Sequence, residues 1–225
     1  MKKLLLLLLC VPLIGFGQQT YVPDDDFEAY LENNGMGNGI PNDNWIDMSE
    51  VILKDKIFEL FISDNEINDI VSEIANKIND SEIKDPLFIA VLNGSFLFAS
   101  DIMRKINLPN AEISFIKLAS YSGTESLGEV QELIGINSDL SGRNIVILED
   151  IIDTGNTLEK IMSLLNSQHV NDIRIATLLF KPDAYKKDIP IDFIGKSIEN
   201  KFVVGYGLDY DQIGRNLPHI YKLKE

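Results

Sequence analysis

The string with the most chemistry in this chain is Glu149-Asp150-Ile151-Ile152-Asp153-Thr154-Gly155-Asn156-Thr157. Residues 153–157 combine backbone N–H groups, a glycine that allows close approach, two hydroxyls and the start of a helix. A helix N-terminus presents unpaired donors and partial positive charge, so this is a cradle for a phosphate monoester. The spacing Gly-x4-Gly-Lys-Ser/Thr of a nucleotide-triphosphate loop does not occur in it. Glu149 and Asp150 stand just upstream. Carboxylates repel phosphate, so beside one their task is to hold sugar hydroxyls or a divalent cation. A sugar lying between acid pair and cradle satisfies both. An isolated Glu-Asp pair reads as a solvated strand end followed by an Asp/Thr helix cap; the whole run favours a ligand.

The elements that must position this string form an alternating pattern. Asn144-Ile145-Val146-Ile147-Leu148 is a continuous apolar strand of the kind covered on both faces, and Leu158, Ile161, Met162 and Leu165 mark the helix after the string. Upstream, Ser63-Asp64-Asn65-Glu66 is a capping box, with Ile67, Ile70, Val71, Ile74, Ala75 and Ile78 following at helical spacing. Further strands are expected over 87–92, 111–118 and 172–180, and a helix over 96–106. Strands alternating with helices predict an α/β fold with a parallel sheet and right-handed crossovers. Such sheets bind ligands in loops at the carboxyl ends of their strands, where the string begins.

Composition narrows the field. The 225 residues carry 20 basic and 35 acidic side chains, a net charge of −15, which argues against non-specific binding to nucleic acid or anionic membranes. Small phosphorylated ligands held by backbone amides and a metal remain compatible. With the single cysteine Cys10, no intrachain disulfide or thiolate zinc site is possible, and the histidines are only His169 and His219. A metal here is expected to be a hard cation on carboxylates. Lys2 and Lys3, an apolar run over 4–14 and the small Gly15 and Gly17 make residues 1–17 signal-peptide-like. That run is too short to anchor in a bilayer. Residues 18–47, acidic and rich in Asn and Gly, are expected to be a disordered segment without calcium-loop spacing. Residues 48–225 are one domain's length.

The run Val146–Leu158 closely resembles the phosphoribosyl-pyrophosphate signature of the hypoxanthine (hypoxanthine-guanine) phosphoribosyltransferases. Three more segments match in the family's order. Leu92-Asn93-Gly94-Ser95 resembles its pyrophosphate loop, where a non-proline cis peptide turns N–H groups toward pyrophosphate. Ser120-Tyr121, in a polar stretch over 119–130, resembles its mobile lid. Lys201-Phe202-Val203-Val204-Gly205-Tyr206-Gly207-Leu208-Asp209-Tyr210, with Arg215 beyond, resembles its base-binding and pyrophosphate-binding end.

The resemblance implies a type I phosphoribosyltransferase-like fold, with a central parallel sheet flanked by helices and a small hood for the base. It implies transfer of the 5-phosphoribosyl group from phosphoribosyl pyrophosphate to N9 of hypoxanthine and guanine in purine salvage. Glu149 and Asp150 would hold the ribose hydroxyls. Asp153 would face N7 of the purine as general acid/base. Thr154, Gly155, Asn156 and Thr157 would hold the 5′-phosphate. Asn93, Gly94 and Arg215 would meet pyrophosphate, and Ser120 and Tyr121 would close over the site. Lys181 would select a 6-oxopurine through its 6-oxygen, Phe202 would stack on the base and the Val203 backbone would line its edge. Mg²⁺ is the implied cofactor, with Asp209, Glu149 and Asp150 as its implied ligands. Taken singly, Lys181 also reads as a surface turn lysine, Phe202 as core and Asp209 as a turn residue. Asn93 stands where many relatives have lysine, which predicts a stronger magnesium dependence.

Two other classes fit parts of the sequence. Asp153-Thr154-Gly155 is also the triplet of aspartic proteases, but that chemistry needs a second aspartate sharing a proton, and the chain has no second Asp-Thr-Gly. A non-catalytic nucleotide sensor on the transferase fold would lack turnover. Phosphoribosyl pyrophosphate is a cytosolic metabolite, whereas residues 1–17 read as an export signal. The expectation is a cytoplasmic enzyme, a homodimer or homotetramer without membrane anchor, whose functional chain starts at Met48 or to which an unrelated exported leader has been joined upstream by a gene fusion or a misplaced start.

Overall fold

The computed structural model describes Gln19–Tyr21, Trp45–Asp47, 49–118, Glu132–Ile134 and 139–224. The lid residues Ser120 and Tyr121 and the signal-peptide-like residues 1–17 lie outside the described residues. Within the expected disordered segment, β1 (Gln19–Tyr21) and β2 (Trp45–Asp47) pair antiparallel, a ribbon its composition did not announce.

The central sheet holds β5 (Pro86–Val91), β6 (Glu112–Leu118), β7 (Glu132–Ile134), β8 (Asn144–Ile152), β9 (Asp172–Phe180) and β10 (Phe193–Ser197). Their spatial order is β10-β9-β8-β5-β6-β7. The first five are mutually parallel, and β7 closes the edge antiparallel to β6. The chain crosses from β6 over β5 to β8, so the winding direction reverses between β5 and β8. Ligands of open α/β sheets sit in the crevice at that reversal.

Helix α1 (Asp64–Asn79) starts where the capping box predicts: the Ser63 hydroxyl accepts from the Glu66 N–H at 3.2 Å. The six apolar residues read at helical spacing are the six it buries. They pack with Phe98, Ala99 and Ile102 of α2 (Phe96–Met103) on one face of the sheet, against Phe88, Ala90, Val146 and Leu148. The other face buries Leu87, Ile89, Ile145 and Ile147 against Leu158, Ile161 and Leu165 of α3 (Asn156–Asn166). Alternate residues of each strand thus enter opposite cores, which explains their continuously apolar sequence.

Two boundaries differ from expectation. Helix α2 stops at Met103 rather than continuing to 106, because the Lys105 N–H turns back to the Ile102 carbonyl and ends the regular spacing. Strand β8 does not end at Leu148. It runs to Ile152, because β9 keeps pairing with it as far as Ile152 and Phe180. Glu149 and Asp150 are therefore strand residues rather than loop residues.

The hood is a separate antiparallel sheet, ordered β11-β12-β4-β3, made from β3 (Glu50–Leu53), β4 (Lys56–Ile62), β11 (Val203–Val204) and β12 (Ile220–Leu223). It has its own small core of Val51, Phe58, Val204 and Tyr221. The segment after β2 and the chain's last strands thus meet beside the sheet's carboxyl edge.

Candidate active site

The pairing of β8 creates the site. Its partner β5 leaves after Ala90–Leu148, while β9 continues beside it. The end of β8 is thereby left open on one side, and the turn after β5 folds over it. The Leu92–Asn93 peptide in that turn is cis. Gly94 lies directly on Asp150: a Cβ there would collide with the Asp150 carboxylate. Behind it, Gly207 backs onto the Gly94 carbonyl with no room for a side chain. A cleft of about 260 Å³ opens here, lined by Val91, Leu92, Gly94, Leu118, Glu149, Asp150, Ile151, Thr157 and Lys160.

Glu149 is 5 % exposed and Asp150 half-buried. Burial raises the Glu149 carboxyl well above the usual carboxylate range, reinforced by the charge of Asp150. Burial also pushes Asp150 up to about 6, against backbone hydrogen bonds from Ile151 and its own N–H and the charge of Arg215. Neither acid forms an ion pair with another described residue. Two carboxyls held this way, oxygen-rich and poorly solvated, are suited to hydroxyl donors or a hard cation.

Beyond the acids, a second pocket of about 100 Å³ is lined by Glu149, Ile151, Ile152, Asp153, Thr154, Gly155, Asn156, Thr157 and Leu158. Helix α3 opens with Gly155 as its cap, at φ +81°, and no side chain caps it. The position needs glycine twice over: for that left-handed conformation, and because the Tyr185 ring would lie 2.6 Å from a Cβ. The Asp/Thr cap of the alternative reading does not form, and the uncapped first N–H groups of α3 lie beside the pocket with exposed Thr154, Asn156 and Thr157.

Asp153 and Lys181 meet because of the β8–β9 register. The ladder ends with Ile152 opposite Phe180, so the next residue on each strand emerges side by side. Lys181 Nζ donates to Asp153 Oδ2 at 2.8 Å, and the Lys181 N–H donates to the Ile152 carbonyl. Lys181 is 7 % exposed, so the surface-turn reading is overturned. Phe202 is 48 % exposed, not core, and its ring stands edge-on to Tyr210 at 5.9 Å and tilted against Phe58 at 6.2 Å. Val203 is buried in β11.

Asp209 and Arg215 come together with each other: Arg215 Nη2 lies 2.6 Å from Asp209 Oδ1. The other Asp209 oxygen accepts from the Gln212 N–H, while Arg215 Nη1 donates to the Gly207 carbonyl. Both charges reach Asp150 electrostatically, so this segment borders the acid pair. Sequence reasoning missed Lys160, which Thr157-x-x-Lys160 spacing on one helix face signals. It also missed Tyr185 and Gly207, whose places depend on distant segments. The triplet Asp153-Thr154-Gly155 leads into a helix of a parallel sheet, and its aspartate pairs with a lysine, not a second aspartate. That excludes aspartic-protease chemistry at this triplet.

An acid pair and an uncapped helix start at the winding reversal of a parallel sheet, with an antiparallel hood, are an arrangement suited to a sugar phosphate. Comparison with known proteins narrows it. The phosphoribosyl transferase domain family matches residues 63–211. A hypoxanthine-guanine phosphoribosyltransferase of Staphylococcus epidermidis is 41% identical over 167 residues, 73% of this chain and 93% of that protein. The crystal structure of a hypoxanthine phosphoribosyltransferase from Staphylococcus aureus superposes with a TM-score of 0.68 at 39% identity, covering 74% of this chain and 91% of that one. A hypoxanthine-guanine phosphoribosyltransferase from Bacillus anthracis, with HEPES in its active site, gives 0.68 at 36% identity over 74% and 98%. The chain belongs to the phosphoribosyl transferase family.

Proposed function

We propose that residues 48–225 transfer the 5-phosphoribosyl group of phosphoribosyl pyrophosphate to N9 of hypoxanthine or guanine, releasing pyrophosphate. The observation that carries this reading is the end of β8, where a buried acid pair and an open helix N-terminus stand side by side. The ribose lies over Glu149 and Asp150, and the 5′-phosphate sits among the N–H groups and hydroxyls of residues 154–157. The purine stacks on the exposed face of Phe202, with its edge along Val203 and its 6-oxygen at Lys181. Adenine presents a donor at that position, which would face the Lys181 ammonium donor to donor.

In the reaction N9 bonds to C1′ as the C1′–O bond breaks, its electron pair leaving with pyrophosphate. The transition state resembles a ribosyl oxocarbenium ion. The base's displaced proton passes at N7 to Asp153, whose carboxylate Lys181 already holds in place. Donors of the 92–95 turn and Arg215 face the leaving group, where charge accumulates. Ser120 and Tyr121 close the cleft against water. The carboxylates of Asp209, Glu149 and Asp150 are hard oxygen donors of the kind Mg²⁺ takes, although no three acids among the described residues stand together as a ready-made metal site. The ion would supply neutralisation of pyrophosphate charge. With asparagine at 93, that neutralisation carries more of the load, so Asn93→Lys lowers the magnesium requirement.

Among the described residues no helix is long and apolar enough to cross a membrane. Because the donor substrate is cytosolic, we place the enzyme in the cytoplasm, and mass analysis of the native N-terminus tests a start at Met48. Half-exposed Phe96, Ile113 and Phe115 offer apolar surface for a homodimer or homotetramer. The deciding experiment is the full chain with phosphoribosyl pyrophosphate, Mg²⁺ and each purine in turn. Nucleotide formation from hypoxanthine supports the reading; nucleotide binding without turnover would instead make the protein a sensor.

A further inference from the structure

Helix α3 contributes two side chains to the wall of the larger cleft, Thr157 and Lys160. At this spacing they share one helix face, so Lys160 extends the wall one turn beyond the cradle. Lys160 is exposed, and no ion pair or hydrogen bond ties its ammonium to another described residue. The other charged side chains on this wall are the acids Glu149 and Asp150. Arg215, which also reaches Asp150 electrostatically, is engaged by Asp209, the Gly207 carbonyl and Gln212. The turn that meets the cleft through Leu92 and Gly94 carries Asn93 and thus no positive charge. Lys160 also does not line the smaller pocket formed by residues 153–157. Its charge therefore serves the cleft that holds Gly94, which adjoins the cradle's pocket through Glu149, Ile151 and Thr157.

Resting on phosphoribosyl transfer as the reaction, we propose that Lys160 is a diphosphate-binding residue. Its ammonium pairs with the diphosphate of the donor substrate and with the departing pyrophosphate, supplying from α3 the charge that the 92–95 turn lacks. A compact ammonium on a flexible four-carbon stem suits this place, since it can follow the leaving group as its charge increases.

Kinetics of the full chain in both directions, with Mg²⁺, test this on wild type, Lys160→Met and Lys160→Arg. Methionine is a good helix former, so the melting temperature stays unchanged. Lys160→Met should raise KM for phosphoribosyl pyrophosphate, and for pyrophosphate in the reverse reaction, by roughly tenfold or more. KM for hypoxanthine should hold, as should Kd for inosine monophosphate, which has the 5′-phosphate but no diphosphate. Lys160→Arg should recover most of the loss. A wild-type KM for pyrophosphate in Lys160→Met overturns the proposal, and so does an equal loss of inosine monophosphate affinity, which would put the ammonium at the 5′-phosphate. If the wild-type chain shows no transfer, the proposed reaction fails, and calorimetric titration with pyrophosphate and Mg²⁺ judges Lys160 separately. Tighter binding to wild type than to Lys160→Met supports the contact, and equal binding sinks it.

Discussion

Two residues separate Asp150 from Asp153, yet the fold treats the two carboxylates in opposite ways. Asp153 emerges beside Lys181 at the end of the β8–β9 ladder and receives a counter-ion at 2.8 Å. Glu149 and Asp150 sit where β5 has turned away, beneath Gly94, and have no ion-pair partner among the described residues. One aspartate is paired and oriented by the protein itself. The acid pair is desolvated and only partly offset, by backbone N–H groups at Asp150 and the charge of Arg215, at a free-energy cost that a ligand's hydroxyls or a cation can recover on binding. On the proposed reaction, the contrast separates a group prepared for proton transfer from groups prepared for binding.

The sharpest way to break this contrast is Asp153→Asn. It leaves the acid pair and cradle intact while removing the proton acceptor, so kcat should fall about 10²–10⁴-fold with inosine monophosphate binding retained. Retention of near-normal turnover would remove Asp153 from the chemistry. Next is Gly94→Ala. A methyl group there displaces the Asp150 carboxylate by more than 1 Å, and kcat/KM for phosphoribosyl pyrophosphate should drop about a hundredfold, with the Asp153–Lys181 pair unaffected. Wild-type kinetics in this variant would show that the acid pair does not contact the substrate.

A third test uses pH. The folded state holds the Asp150 proton more tightly than the unfolded chain, with its pKa raised from 3.8 to about 6. The carboxyl's contribution to stability is therefore complete below pH 4 and is lost as pH rises through about 6. Denaturant titrations without ligand or magnesium should show stability falling by roughly 2–3 kcal/mol across that window. Asp150→Asn should flatten the slope, and an unchanged slope would assign it to other groups. The smallest effect is expected for Lys181→Met, which should raise KM for hypoxanthine roughly tenfold and weaken discrimination against adenine. Competition assays with the two bases would read this directly, and unaltered selectivity would place the 6-oxygen elsewhere.

The regions also differ in how far the sequence announced them. The cradle is contiguous: Asp153-Thr154-Gly155-Asn156-Thr157 lies between a buried strand and an amphipathic helix, so spacing alone pointed to phosphate. Helix α1 was equally legible, since its cap and its six buried positions follow from local hydrogen bonding and periodicity. The hood was not legible from pattern. It joins residues around 50–62 to residues around 203–223, and only the family resemblance anticipated it. Phe202 could not be told from a core residue, because exposure depends on what the neighbouring strands leave uncovered. The pairing of Asp209 with Arg215 was likewise hidden, since each was read as a separate ligand of the same substrate.

By itself, then, the order of residues determined which chemistry is present: acids, a glycine-opened helix start, a lysine and an aromatic ring, each beside the element that carries it. Local geometry follows from short-range hydrogen bonding and side-chain periodicity, and both are written in consecutive residues. Tertiary structure alone decided the partners and the burial of the acids. Where β5 departs from β8, and how far β9 continues beside it, sets which carboxylate finds a lysine and which remain desolvated. Those outcomes depend on contacts between segments distant in the chain, and no local pattern encodes them.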